Sequence, residues 1–285
     1  MNGLIIGCGY LGRRVAAHYL HRGDRMSGLV RSESSRRELV RMGISCLALD
    51  VDTAPLRGLD PGGTQLFYFL PPPGEGETDP RIRYLRSACE ADGNPRRILY
   101  LSTTGVYGDC NGESVDETRP VNPVAPRALR RWDAEQRFHA WRAAAGFELI
   151  ILRVAGIYGP GRLPLERIRR GLPLVRPEEA PWTNRIHVDD LVRVCVAAME
   201  KGRDGQVYNV SDGSPGTMTD YFNRIADKAG LPRPPLISME EGYRKLSPGM
   251  MSYMRESRRL DNRKMLKELG VELRYPNLDA GLEAC

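Results

Sequence analysis

The chain has 285 residues, 41% of them hydrophobic and 27% charged, with a formal net charge of +6. That balance suits a soluble globular protein with ample core, as one large domain or two interleaved ones. No apolar run approaches the roughly 18 residues that span a membrane, and the arginines are dispersed as isolated pairs such as Arg96-Arg97 and Arg130-Arg131, so neither a membrane nor a nucleic-acid partner is expected.

At the N-terminus the apolar run Leu4-Ile5-Ile6 leads into Gly7-Cys8-Gly9-Tyr10-Leu11-Gly12, and Val15, Ala16, Tyr19 and Leu20 then fall on one helical face. Strand, glycine turn and helix with the spacing G-x-G-x-x-G predict a dinucleotide site. Gly7 permits the tight turn, Gly9 lets a pyrophosphate approach the backbone, and Gly12 allows close helix–strand packing. The unpaired N–H groups that open the helix would face the phosphates. With no leader pattern before this strand, a cytoplasmic protein is the default expectation.

A second strand, Met26 to Val30, ends at Arg31 and Ser32. A carboxylate at this strand end hydrogen-bonds a free ribose 2′-OH, whereas an arginine accommodates a 2′-phosphate. Arg31 and Ser32 stand there, with Arg36 and Arg37 one turn on, so NADP is favoured over NAD. Ser45 to Asp50 reads as a third strand, with Asp50 and Val51 bordering the adenine. After a Gly/Pro-rich connection, Gln65 to Leu70 is a strong apolar strand stopped by Pro71-Pro72-Pro73, so Leu70 and Pro71 would lie at the ligand-binding edge of the sheet.

Ile82 to Cys89 suits a helix. Arg97 to Leu101 is a fifth strand, running into Ser102-Thr103-Thr104. The polar stretch 109–125 follows, then a long helical pattern over Arg127 to Ala145 and a sixth strand, Phe147 to Val154. This alternation predicts βαβ units and a parallel, doubly wound α/β sheet of the Rossmann type. Beyond it, Asp189 or Asp190 is the expected N-cap of a helix over Leu191 to Met199. Gln206 to Val210 is a short strand, Thr217 to Ala229 an amphipathic helix, and Leu260 to Leu269 the last helix. Residues 1–160, with 187–210 returning to them, form the expected dinucleotide-binding core. Residues 161–186 and 211–285 form a smaller C-terminal substrate lobe. The six cysteines are scattered, without C-x-x-C or a Cys/His cluster, so reduced thiols and no metal are expected.

The motifs STTGVYG at 102–108, DETRPVNP at 116–123, LRVAGIYGPGR at 152–162, RIHVDDL at 185–191, YNVSDG at 208–213, SRRLDN at 257–262 and KELGVELRYP at 267–276 follow the glycine turn in order. Together they resemble the extended short-chain dehydrogenase/reductases, also called the NAD-dependent epimerase/dehydratase family. The likeness runs the whole length and is nearest to an atypical subgroup: the extended pattern is G-x-x-G-x-x-G, and Ile6 stands where its first glycine would be.

The resemblance implies an NAD(P)-dependent oxidoreductase or epimerase/dehydratase-like enzyme acting on a sugar nucleotide or another small carbonyl or hydroxyl substrate. It also implies a homodimer through the helices near 80–92 and 127–145. In that family a Tyr and a Lys four residues apart, with an upstream Ser or Thr, exchange the proton. Thr103 matches the Ser/Thr. Registering the long helix by Ala134-Glu135 puts Arg127 at the Tyr position and Arg131 at the Lys position, and no tyrosine occurs between Tyr107 and Tyr158. Arg131 can still hold a ribose or phosphate oxygen, with Ser102 beside the cofactor. Arg127 cannot replace the tyrosine, because a guanidinium does not deprotonate. Tyr107, Tyr158 or His187 could be the donor, and Thr104, Tyr107, Tyr158, Arg162, His187 and Arg258 are the expected substrate-side residues. The substrate or water could supply the proton instead, or the chain could bind a dinucleotide without catalysis, as a sensor or regulatory protein.

Overall fold

The computed structural model describes residues 1–52, 56 and 58–285. The connection expected after Asp50 therefore lies partly outside the described residues. Among these, seven parallel strands form the central sheet. They are β1 (Asn2–Ile6), β2 (Arg25–Val30), β3 (Ser45–Ala48), β4 (Gln65–Tyr68), β5 (Arg97–Thr103), β6 (Glu148–Val154) and β7 (Val207–Val210). Their order is β7-β6-β5-β4-β1-β2-β3, and every neighbouring pair is parallel. The winding direction reverses between β1 and β4, the switch point where open α/β sheets bind ligands at their carboxyl edge.

The helices are α1 (Gly12–His21), α2 (Glu33–Arg41), α3 (Arg81–Asp92), α4 (Pro126–Ala145), α5 (Leu165–Arg169), α6 (Val188–Lys201), α7 (Met218–Lys228), α8 (Met239–Lys245), α9 (Pro248–Met254), α10 (Arg263–Leu269) and α11 (Leu278–Leu282). None is long and apolar enough to cross a membrane among the described residues.

Strand side chains alternate between two covered faces, which is why the central strands read as continuous apolar runs. Leu4, Ile6, Tyr68, Tyr100 and Ile151 meet α3 and α4 on one face. Ile5, Phe67, Leu99 and Ile150 meet α1, α6 and α10 on the other. The stripe Ala134, Phe138 and Trp141 seats α4, each of the two aromatic side chains contributing roughly 1.5–3 kcal/mol by burial. A separate apolar cluster joins Tyr158, Ile168 and Val175 to Phe222, Met251, Met254 and Leu282. It carries α7 and α9 beside the carboxyl edge of the sheet.

Two sequence expectations are corrected. The last long helix was expected over Leu260 to Leu269, but Arg259–Leu260 instead pairs in parallel with Ser114–Val115. The helix starts at Arg263, after the Asp261 carboxylate has accepted the Arg263 N–H (2.9 Å), and α11 follows it. Asp189 and Asp190 do not cap α6. His187 does, its Nδ1 accepting from the Asp189 N–H at 3.2 Å. Asp190 turns away to accept the N–H groups of Arg274 and Tyr275, each at 2.8 Å.

Candidate active site

The glycine turn has the geometry its spacing requires. Gly7 sits at φ +86°, and a Cβ there would lie 2.8 Å from the Leu70 backbone nitrogen. A Cβ on Gly12 would meet Ile5 Cγ2 at 3.0 Å, so helix and strand touch closely. Gly9 differs, since an added Cβ would meet nothing within 4 Å. No protein contact accounts for a glycine there, whereas a ligand approaching the backbone does. The N–H groups of Tyr10, Leu11 and Gly12 have no acceptor among the described residues. They lie at the positive end of α1 and fit a pyrophosphate.

Cys8 is buried against Gly28, and burial pushes its thiol up to about 12, so it is packing rather than a nucleophile. Tyr10 donates to the Pro160 carbonyl at 2.9 Å and carries the Arg162 guanidinium 4.7 Å from its ring centre. This ties the turn to the loop after β6.

At the end of β2, Ser32 caps α2 by accepting from the Ser35 N–H at 3.3 Å. Arg36 is bound to Glu33 at 2.6–2.9 Å. Arg31 is exposed and makes no ion pair or hydrogen bond among the described residues. Asp50 accepts from the Asp52 N–H at 3.1 Å, and Val51 is buried.

A cleft of about 380 Å³ opens at the carboxyl ends of β5 and β6. Ser102, Thr103 and Thr104 form its floor, α4 contributes Arg127 and Arg131, and the segment around α9 contributes Tyr253, Glu256 and Arg258. Thr103 Oγ1 accepts from the Gly105 N–H at 3.2 Å, capping the short 3₁₀ turn Thr104–Tyr107. That bond orients the oxygen and leaves its proton free to donate. Ser102 donates to Glu135 at 2.5 Å, and Glu135, wholly buried, also accepts from Arg153 Nε and Nη2 at 3.2 and 2.8 Å. Arg131 donates to the Leu70 carbonyl at 2.9 Å and to the Tyr100 hydroxyl at 3.3 Å. Pro71 accepts from Arg81 at 2.6 Å, and Arg81 in turn pairs with the buried Asp79 at 2.8 Å.

Arg127 is fixed by Ser252, its Nη1 2.5 Å from the hydroxyl and its Nη2 3.3 Å from the carbonyl. It lies 3.9 Å from the centre of the Tyr253 ring. Arg258 is held by the Gly108 carbonyl at 2.6 Å and by Glu256 at 3.0 Å.

Three residues expected on the substrate side do not line this cleft. Tyr107 is 1% exposed. Its hydroxyl donates to Asn209 Oδ1 at 2.8 Å, pinning the 3₁₀ turn to β7, and burial raises its phenol above the ordinary value. Tyr158 is packed beneath Gly281, its hydroxyl 3.4 Å from the Asn277 carbonyl; burial drives its phenol far up. His187 has no exposed surface. Its Nδ1 is occupied as a cap, its ring sits 4.2 Å from that of Tyr275, and burial holds its pKa down, so it is neutral. Conversely, Tyr253, Glu256 and Arg185 line the cleft although sequence reasoning singled out none of them. The stretch holding Tyr253 and Glu256 is rich in Pro, Met and Arg and has no periodicity to orient a side chain, and Arg185 opens the RIHVDDL motif with nothing local to aim it.

Asp212, just beyond β7, makes a separate prediction. It is 5% exposed; Oδ1 accepts from the Ser214 N–H at 2.9 Å, and Oδ2 has no partner among the described residues. Burial pushes its carboxyl up to about 7, against an unfolded value near 3.9. The folded state therefore holds a proton that the unfolded state has lost between about pH 4 and pH 7. Stability should fall with rising pH across that window, by up to a few kcal/mol, and Asp212→Asn should flatten that fall. Parallel pH profiles for variant and parent in urea unfolding would refute this.

A model of the NAD dependent epimerase/dehydratase family matches residues 82–211. Protein YeeZ of Escherichia coli K12 is 26% identical over 283 residues, covering 96% of each chain. The solved structure of a functionally unknown conserved protein from Silicibacter pomeroyi DSS is 35% identical, with TM-score 0.84, covering 99% of this chain and 97% of that one. The NAD complex of UDP-glucuronic acid 4-epimerase from Bacillus cereus has TM-score 0.78 over 100% of this chain and 97% of that one. At 18% identity this likeness is one of fold.

Proposed function

We propose that the chain belongs to the NAD-dependent epimerase/dehydratase family, whose model matches residues 82–211, and that it is an NAD(P)-dependent enzyme of reductase, epimerase or dehydratase type, acting on a sugar nucleotide or another small carbonyl or hydroxyl compound. One observation carries the reading. The open backbone at Gly9 adjoins the cleft, because Arg162 both lines the cleft and stacks over Tyr10 of the glycine turn. A bound nicotinamide dinucleotide supplies the hydride exchange with which all three reactions begin.

The chain's own residues then divide the remaining work. Arg131 takes a ribose or phosphate oxygen of the cofactor as a fixed cation. Thr103 orients the substrate oxygen. The proton comes from Tyr253, which lines the cleft as none of the other described tyrosines does. The phenolate left behind would face the Arg127 guanidinium, which neutralises it. A reducing turnover is thus expected to need a hydroxyl from the α9 segment rather than from α4.

The reading is tested by titrating NADPH and NADH and then screening sugar nucleotides and carbonyl compounds for cofactor turnover. Absence of dinucleotide binding refutes it. A second reading, a dinucleotide-binding sensor without catalysis, is favoured by one observation, Arg127 in place of the family's tyrosine. Tight binding with no turnover across the panel selects it.

Arg31 supports NADP as the cofactor, being an unpaired cation at the end of β2 with no acidic neighbour at 32. NADP should bind at least about tenfold tighter than NAD, and Arg31→Ala should erase the difference while leaving NAD binding intact. A tenfold preference for NAD would overturn this assignment.

A further inference from the structure

Among the described residues the cleft wall holds five arginines, Arg127, Arg131, Arg162, Arg185 and Arg258, against one carboxylate, Glu256. Glu256 is shared by Arg258 at 3.0 Å and Arg127 at 3.5 Å. Arg131, Arg162 and Arg185 have no carboxylate within ion-pair distance among the described residues. Arg185 is held by the Asn184 carbonyl at 2.8 Å, by Met218 Sδ at 3.4 Å and by the Tyr221 ring at 4.2 Å, with the buried Asp212 carboxyl beyond ion-pair distance but close enough to interact with it. Guanidinium groups cannot shed their protons. Unpaired charge in a partly buried cleft is costly, so the excess calls for an anionic ligand.

The dinucleotide accounts for part of this charge. Its pyrophosphate belongs to the glycine turn, beside Arg162, and its ribose to Arg131. Arg185 is left over, and so is one charge of the two arginines that share Glu256; Arg127, 3.5 Å from that carboxylate against 3.0 Å for Arg258, is the less compensated of the two. It stands one turn before Arg131 on α4, where two like charges destabilise the helix unless something lies between them. It is also preset: Ser252, Glu256 and the Tyr253 ring fix the guanidinium plane, leaving the Nε–H and the second Nη1 proton to meet an anion. Helix α4 packs on the Thr103–Gly105 turn, Ala128 Cβ lying 3.5 Å from where a Gly105 Cβ would stand. Arg127 therefore belongs to the end of the cleft where the substrate oxygen meets Thr103. A nucleotide carrier's phosphates sit a sugar ring away from that point.

Resting on the dinucleotide-dependent reading above, we propose that the substrate carries a carboxylate on the carbon neighbouring its reacting carbon, as a uronic acid oxidised at C4 does, and that Arg127 anchors it. The residue that replaces the tyrosine thus changes role from proton transfer to anion fixation and narrows the substrate class to acids.

The test is calorimetric titration of the protein, saturated with whichever of NADP and NAD it binds, with UDP-glucuronate and UDP-glucose. These probes share every phosphate and differ by one carboxylate. UDP-glucuronate should bind at least tenfold tighter. Arg127→Gln should bring the ratio to near one without changing dinucleotide affinity, which also reports that the variant is folded. Arg127→Lys should restore part of the preference. Equal affinities in the parent, a ratio unmoved by Arg127→Gln, or failure of both probes to bind the dinucleotide-loaded protein overturns the proposal alone. Failure of both dinucleotides to bind overturns the functional reading, and the proposal with it.

Discussion

Glu135→Ala should cost about 3–5 kcal/mol of stability, because it leaves the Arg153 guanidinium buried without its counter-charge. The two side chains are 0% and 6% exposed. The pair contributes little net energy when intact, since each ion has given up its hydration; the penalty appears when one partner goes. Stacking of Arg153 over the Tyr107 ring at 4.9 Å and the Trp132 ring at 5.9 Å softens the loss without removing it. The Ser102 hydroxyl loses its acceptor in the same variant, so the end of β5 that presents Thr103 should loosen and any turnover should fall with it. An exposed pair is the control. Arg233–Asp227, at 62% and 48% exposure, should cost no more than about 1 kcal/mol when Arg233 becomes Ala. Urea unfolding midpoints compare the two directly. A Glu135→Ala loss within 1 kcal/mol of the control would mean that water reaches Arg153. The double variant Glu135→Leu with Arg153→Met should recover most of the loss, since it removes both charges and keeps the volume.

Tyr253→Phe should lower turnover by roughly 10²–10⁴, the usual worth of a positioned general acid, while leaving dinucleotide affinity and unfolding unchanged. The hydroxyl is on a half-exposed side chain at the cleft wall, so its removal leaves no buried group unsatisfied. Tyr107→Phe should behave in the opposite way. Its hydroxyl is buried against Asn209, and deleting it should cost about 1–3 kcal/mol of stability with the activity of the folded fraction retained. The rate assay uses whichever compound in the sugar-nucleotide and carbonyl panel supports cofactor turnover. Full activity of Tyr253→Phe would move the proton donor to the substrate or to water, and loss of chemistry with normal stability in Tyr107→Phe would return it to the 3₁₀ turn.

These predictions separate two kinds of information in the chain. The alternation of apolar runs with amphipathic stretches is enough to announce the parallel sheet, because the two periods reflect local backbone geometry. The first glycine turn is legible for the same reason: Gly7 needs φ +86°, and the requirement is local. The absence of any tyrosine between Tyr107 and Tyr158 is likewise a fact of sequence. Local reading failed at the start of α6, where an acidic N-cap was the natural expectation. Asp190 instead binds the backbone of Arg274 and Tyr275, more than eighty residues away, and left capping to His187.

The composition of the cleft is of the second kind. Arg127 meets Ser252 and Glu256, and Ser102 meets Glu135, which meets Arg153. No periodicity joins those positions. The first contacts arise when α9 and its neighbours are folded back over the carboxyl edge by the apolar cluster around Tyr158 and Met251, the second when Ala134 and Phe138 seat α4 on the sheet. Tyr107 and Tyr158 look as eligible as any tyrosine on paper, and burial removes both from the cleft. Tyr253, in a stretch without pattern, is carried into it. Backbone requirements are written residue by residue, so the chain alone determines the succession of strands and helices along it and the glycine turn. The make-up of the cleft depends on groups from distant segments reaching one another within a few ångströms, and packing alone decides which of them do.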